Sequence, residues 1–223
     1  MQRQLIIIGA GGHGSEVYAY TRELAPELRV AGVVDEFQPP GPWWDTQLLG
    51  DFGKLEAFLA AHPDELFHYI TAAGANALRR RLVAQVEALR CPNLSAASVV
   101  HPRASIGCDV EIGAGTCLAP GSIVTTRVRM GEHCILNVNA SVSHDCVVGA
   151  FTNINPGAVV CGSVRLGTGC YVGAGATILE KRTIGDDVII GAGAVVTRDL
   201  PAGVTAVGVP ARVIKHAPTV AVS

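Results

Sequence analysis

From residue 94 onward the hydrophobic positions recur every sixth residue. Leu94, Val100, Ile106, Ile112, Leu118, Val124, Met130, Leu136, Val142, Val148, Ile154, Val160, Leu166, Val172, Ile178, Ile184, Ile190 and Val196 form an unbroken series of eighteen. A helix repeats at 3.6 residues and an amphipathic strand at 2, so neither explains it. The next residue is often glycine, as at Gly107, Gly113, Gly131, Gly149, Gly167, Gly173, Gly185 and Gly191. Four residues after each aliphatic position comes a small or apolar side chain, such as Thr116, Ser122, Cys134, Ala140, Cys146, Ala158 and Cys170, with Arg182 as the exception. This pattern predicts a triangular β-solenoid in which each hexapeptide is one side and three make a coil. The aliphatic column fills the axis, the small column lets the triangle close, and glycine is expected at the corners.

Before residue 90 the rhythm changes. Leu5–Ile8 reads as a short buried strand running into Gly9-Ala-Gly-Gly-His-Gly14, followed by a helix from about Ser15 to Glu27. Arg29–Val34 reads as a second strand ending at Asp35, Leu66–Ala73 as a third ending at Gly74, and Ala77–Leu89 as a helix. Strands alternating with helices predict a Rossmann-like βαβ domain with a parallel sheet. The GxGxxG turn with Asp35 about twenty residues on fits a dinucleotide fold. The glycines admit a diphosphate close to the backbone, and the helix start offers free N–H groups. The segment holds only half of a dinucleotide domain, which suits a nucleotide diphosphate better than NAD. The expected organisation is an α/β domain over 1–92, a parallel β-helix with its closing segment over 93–214, and a tail over 215–223.

Composition narrows the function. The 223 residues are 49 % apolar and 16 % charged with a net charge of −2, which gives no reason to expect nucleic acid or an anionic membrane as partner. No stretch approaches the roughly 20 apolar residues that span a bilayer. The seven cysteines include no CxxC pair, so a disulfide framework or zinc site is not expected, and a reducing cytoplasm is.

The period, the closing segment Val196–Arg212 with Gly208-Val-Pro-Ala211, and the Ile8–Gly14 turn together resemble the hexapeptide-repeat acyltransferases of the NeuD/PglD type. The resemblance covers nearly the whole chain and implies that the solenoid is a left-handed β-helix. It implies an acetyl-CoA-dependent transferase acting on a nucleotide-linked amino sugar of the 4-amino-4,6-dideoxy kind. It also implies a homotrimer with sites between subunits. On the family's positions, Gly11, Gly12, His13, Asp35, Glu36 and Gly74 contact the nucleotide sugar. Asn153, Gly162, Ala174 and Ala192 contact acetyl-CoA. Trp43 and Trp44 lie in a stretch, Gln38–Gln47, individual to this chain.

His144 and Asp145 stand in Val142-Ser-His-Asp-Cys-Val-Val-Gly149, two and three residues past an aliphatic position, where the frame places His144 mid-side and facing outward. The family motif makes this histidine the general base. The chemistry needs one: an amine or hydroxyl attacking a thioester loses a proton, and imidazole suits that near neutral pH. An adjacent carboxylate favours the protonated ring and fixes its tautomer. Coil stacking puts Gly162 one coil above His144, where a missing side chain is expected to leave a gap for the pantetheine arm. Other readings stay open. A histidine before an aspartate is often a solvated pair; a cap on the first helix is the other reading of His13, and the end of a strand the other reading of Asp35. O-acetylation of a sialic acid uses the same base. A γ-type carbonic anhydrase would need three histidines on a metal, and His101, His133 and His144 share no register. A non-catalytic NAD-sensing scaffold is the remaining alternative. No metal is expected.

Overall fold

The computed structural model describes residues 3–24 and 27–216. The chain divides into two compact units, Met1–Pro102 with Ala114–Cys117, and Arg103–Gly113 with Leu118–Ser223.

The first unit contains β1 (Arg3–Ile8), α1 (Gly12–Arg22), β2 (Leu28–Val34), β3 (Gly41–Trp43), β4 (Thr46–Gly50), α2 (Phe52–Ala60), β5 (Phe67–Thr71), α3 (Asn76–Ala88) and β6 (Leu94–Ala96). Its sheet runs β3-β4-β2-β1-β5-β6, parallel except for the β3–β4 hairpin. β1 is central, and Leu5, Ile6, Ile7 and Ile8 are all fully buried, as expected of a strand covered on both faces. Ile6 and Ile8 pack with Leu55 and Leu59 of α2 and Leu82 and Val86 of α3.

Several elements differ from expectation. α1 starts three residues earlier and ends at Arg22, short of Glu27. The β3–β4 hairpin and α2 were not foreseen. α2 has a signal in the sequence: Asp51 caps it by accepting the Lys54 N–H at 3.0 Å. Leu94, first of the six-residue series, lies in β6 and pairs with Phe67 of β5, so the series begins before the solenoid does.

The second unit is a left-handed β-helix. One wall stacks Ser105–Ile106, Ile123–Val124, Ser141–Val142, Val159–Val160, Thr177–Ile178 and Val195–Val196. A second stacks Val110–Ile112, Val128–Met130, Val147–Val148, Arg165–Leu166 and Thr183–Ile184. The third runs through Ile135–Leu136, Asn153–Ile154, Tyr171–Val172 and Ile189–Ile190 to Val204–Val207, and Arg212–His216 closes it antiparallel. Partners are one coil apart throughout, as Ser141 with Val159 and Val147 with Arg165. From Leu118 to Val196 every member of the aliphatic column is buried, each worth roughly 1.5–3 kcal/mol relative to exposure. The small column is buried beside it, Cys134, Cys146 and Cys170 included. The closing strand carries the chain two residues past 214, and the expected tail lies outside the described residues from 217 onward.

The corners are not where glycine was expected. Left-handed backbone falls three residues after the aliphatic position, at Asp109, Gly115, Gly121, Arg127, His133, Asn139, Asp145, Phe151, Gly157, Ser163, Gly169, Gly175, Lys181, Asp187 and Gly193. The glycines directly after the aliphatic position answer to a different constraint. A Cβ at Gly131 would lie 2.6 Å from the Ala150 nitrogen of the next coil, and Gly113, Gly149 and Gly173 are equally hemmed in by backbone.

Candidate active site

In the first unit a cavity of about 190 Å³ opens at the carboxyl ends of β1, β2 and β5. Ile8, Gly9, Gly11, Asp35, Glu36 and Arg81 are among its lining. β1 lies between β2 and β5, so the chain reverses its direction of sheet growth there, which is where parallel α/β sheets hold ligands. The turn after β1 is glycine-rich for separable reasons. Gly9 has φ +112°, and a Cβ on Gly14 would collide with the Gly9 carbonyl oxygen. Gly11 and Gly12 are exposed, and a Cβ on either meets nothing within 4 Å.

Asp35 braces this turn. Its Oδ2 accepts the Ala10 N–H and its Oδ1 the Phe37 N–H, each at 3.0 Å. Glu36 accepts from Arg81 Nη2 at 2.8 Å and Gln85 Nε2 at 2.7 Å, which joins the end of β2 to α3. Arg79 is fully buried and donates to the Ala73 carbonyl at 2.8 Å and to Asn76 Oδ1 at 3.2 Å, fixing the loop after β5. Gly74 is exposed on that loop. His13 pairs its Nδ1 with Glu16 Oε2 at 3.0 Å within α1, while its Nε2 is buried without a hydrogen-bond partner among the described residues. Burial, with Glu16 and Cys117 nearby, pushes the Tyr20 hydroxyl up to about 12.

In the β-helix, His144 follows the strand Ser141–Val142 on a turn, so it stands at a corner and not mid-side. Its ring is exposed, and Nδ1 lies 2.7 Å from Asp145 Oδ2. Asp145 also accepts Arg127 Nε–H at 2.6 Å on Oδ1 and Arg127 Nη2 at 3.1 Å on Oδ2. The hydrogen bonds from Arg127 and then from His144 hold the Asp145 carboxyl down at about 2. Main-chain bonds lock the corner: Asp145 N–H donates to the Thr126 carbonyl at 3.1 Å, and Ser163 N–H to the His144 carbonyl at 2.8 Å.

The space over Gly162 is filled. A Cβ there would lie 2.5 Å from Cε1 and 2.6 Å from Nε2 of His144, so this glycine seats the imidazole. Ala174 and Ala192 are exposed on turns one coil apart, at a corner of the triangle different from that of His144 and Gly162. Asn153 is buried on the strand Asn153–Ile154. His101 is buried edge-on to Tyr20, with Nε2 3.3 Å from Glu23 Oε2, and His133 stacks on Phe151 with ring centroids 5.1 Å apart. Among the described residues no group of three His, Cys, Asp or Glu side chains is placed to hold a metal ion.

Comparison with known proteins decides the family. The PglD N-terminal domain profile matches residues 4–86, and the bacterial transferase hexapeptide profile of six repeats matches 145–180 and 163–198. The acetyltransferase domain of PglB from Neisseria gonorrhoeae is 31 % identical over 96 % of this chain and 100 % of its own, with a TM-score of 0.84. The chain belongs to the NeuD/PglD-type sugar acetyltransferase family. PerB from Caulobacter crescentus, solved with CoA and GDP-perosamine, is 32 % identical over 95 % of this chain and 97 % of its own, with a TM-score of 0.86. WeeI from Acinetobacter baumannii is 29 % identical over 96 % of this chain and 100 % of its own, with a TM-score of 0.83. No curated protein sequence matches the chain.

As a member of the NeuD/PglD-type family the chain is an acetyl-CoA-dependent sugar N-acetyltransferase, with acetyl-CoA as co-substrate. Two groups in its candidate site escaped the sequence reading. Arg127 sits one coil before Asp145 at the same corner, so counting back eighteen residues would have found it. Arg81 meets Glu36 across 45 residues of chain, a contact that no period announces. No helix among the described residues is long and apolar enough to cross a membrane.

Proposed function

We propose that this enzyme transfers an acetyl group from acetyl-CoA to the amine of a nucleotide-linked amino sugar, of the 4-amino-4,6-dideoxy kind, with His144 as general base. The observation that carries the reading is the His144–Asp145 contact of 2.7 Å on an exposed corner. Asp145, held anionic, accepts a hydrogen bond from Nδ1–H, so the neutral ring keeps its lone pair on Nε2. As the amine attacks the thioester carbonyl, Nε2 takes the amine's proton; the resulting imidazolium then returns it to the departing thiolate of CoA. No residue of the chain becomes acylated.

The first unit's cavity, with Gly11, Gly12, Asp35, Glu36 and Gly74 at or beside it, is the nucleotide side of this proposal, and His13 the nearest imidazole on α1. GDP-perosamine and CoA bound together on PerB support both the acceptor class and the donor, as does acetyl coenzyme A bound on the PglB domain. The donor residues bear on assembly. Gly162 stands with His144, whereas Ala174 and Ala192 stand at another corner. A second copy of the chain would bring that corner to His144, which supports a homotrimer with C3 symmetry. Acetyl-CoA as donor supports a cytoplasmic location for the reaction.

The test is an acceptor screen with acetyl-CoA, read as free thiol, run on wild type and His144→Ala. Nucleotide-linked 4-amino sugars should turn over and sialic acid should not. His144→Ala should lose roughly 10²–10⁴ in kcat, the usual worth of a general base, while calorimetry finds acetyl-CoA binding unchanged. Near wild-type turnover in that variant would assign the base elsewhere, and turnover of sialic acid alone would favour O-acetylation. Sedimentation finding a stable, active monomer would remove the trimer.

A further inference from the structure

Arg127 and Asp145 occupy successive left-handed corners of the same edge of the β-helix, with φ of +52° and +61°. A main-chain bond from Asp145 N–H to the Thr126 carbonyl fixes their separation. Across it the guanidinium grips both carboxylate oxygens, Nε on Oδ1 and Nη2 on Oδ2, and Oδ2 is the atom that also meets His144 Nδ1. The three side chains form one line, Arg127–Asp145–His144, ending on the ring seated against Gly162.

An aspartate at an exposed corner has two free torsions and water competing for both oxygens. Alone, it would hold an imidazole only part of the time. A bidentate guanidinium removes that freedom, because its planar fork matches a carboxylate in one orientation. The cation has a second effect. An anion at 2.7 Å favours imidazolium, the form that cannot accept a proton, and a cation bound to that anion opposes the bias.

We propose that Arg127 is a positioning residue for this reaction: it clamps the Asp145 carboxylate against His144 Nδ1 and offsets its charge, so that the ring stays oriented. The role rests on His144 as the base, and it reaches substrate only through Asp145 and His144. The other titratable or charged groups near the line are few. Cys108 and Asp109 lie on Arg127's side, where Asp109 is already paired with Arg129 at 2.8 Å. Cys146 and Cys161 lie beside Asp145, with Glu180 beyond Cys161. None of these bonds the His144 ring.

The experiment measures pH–rate profiles of kcat for wild type, Arg127→Met, Arg127→Lys, Asp145→Asn and His144→Ala, with acetyl-CoA and a nucleotide-linked 4-amino sugar. Arg127 is exposed, so its variants should fold, and circular dichroism checks this. Arg127→Met leaves the carboxylate unopposed and mobile. Its kcat should fall about tenfold, in the range of outer-layer partners, its acid limb should move to higher pH, and its KM for acetyl-CoA should stay. Asp145→Asn removes the anion and keeps the cation, so its acid limb should move the opposite way, to lower pH. Arg127→Lys keeps charge without the fork; its limb should stay near wild type while kcat recovers only in part. If His144→Ala is inactive but Arg127→Met has an unmoved acid limb, the positioning role is wrong and the base is not. A raised KM for acetyl-CoA with an unmoved limb would make Arg127 a donor contact and also overturn the proposal. If His144→Ala is active, the base assignment itself fails.

Discussion

The two units of this chain place their functional residues by different rules. In the β-helix a residue's neighbours are set by counting: eighteen along is one coil up, as Ser141 to Val159 or Val147 to Arg165. In the α/β unit the cavity gathers residues from the ends of three strands and from two helices, and Glu36 finds Arg81 and Gln85 across 45 and 49 residues. A periodic sequence therefore specifies a site through its register, and an aperiodic one through loops and packing.

The largest expected effect tests register against loop. Deleting Ser163 shifts every later coil from its partner by one residue, turns inward positions outward, and should abolish soluble folded protein. Deleting Pro39 between β2 and β3 should leave a folded enzyme. Soluble yield and circular dichroism read both, and equal tolerance would break the contrast. Next comes Gly162→Ala. Its Cβ has no room beside the imidazole, so the ring must move; kcat should fall about 10²-fold, the scale of an ångström's misplacement. KM for acetyl-CoA should hold, and a rise in KM alone would return Gly162 to the donor.

Gly11→Leu is the counterpart in the first unit. The position is open, so stability should not change, while a side chain beside the cavity should raise KM for the nucleotide sugar about tenfold, or 1.4 kcal/mol. Equal loss of acetyl-CoA binding by calorimetry would mean that the two ligands do not have separate pockets. The smallest effect concerns thiols. At pH 8 an aromatic disulfide reagent should label exposed Cys108 first. Buried Cys117, pushed up to about 12 by desolvation, and Cys170, pushed up to about 11, should react only on unfolding. Labelling of Cys134, Cys146 and Cys170 as fast as half-buried Cys91 would show that the solenoid opens more readily than counting its sealed columns suggests.

The same contrast explains what was legible. The period reveals the solenoid, its inward columns and the His144–Gly162 stacking. It misassigned the corner by two residues, because glycine enrichment marks the tightest coil-to-coil approach and not the left-handed turn. That shift is why His144 was expected mid-side. In the first unit the βαβ order and the glycine-rich turn were readable. The β3–β4 hairpin was not, since Gly41-Pro-Trp-Trp-Asp-Thr-Gln47 shows no alternation, and Asp51 as a helix cap was passed over. Asp35 was visible as a candidate, but its bonds to Ala10 and Phe37 depend on how the loops fold back.

The fifteen left-handed corners include nine residues other than glycine, Arg127 and Asp145 among them. A side chain in that conformation costs roughly 1–2 kcal/mol relative to glycine. Placing a side chain at a corner is thus a choice between thermal endurance and displayed chemistry, made separately at each turn. Exposed Lys181 is the turn an engineer would convert to glycine or asparagine to raise the melting temperature. At Arg127 and Asp145 the same conversion would yield a sturdier scaffold with its base cut loose.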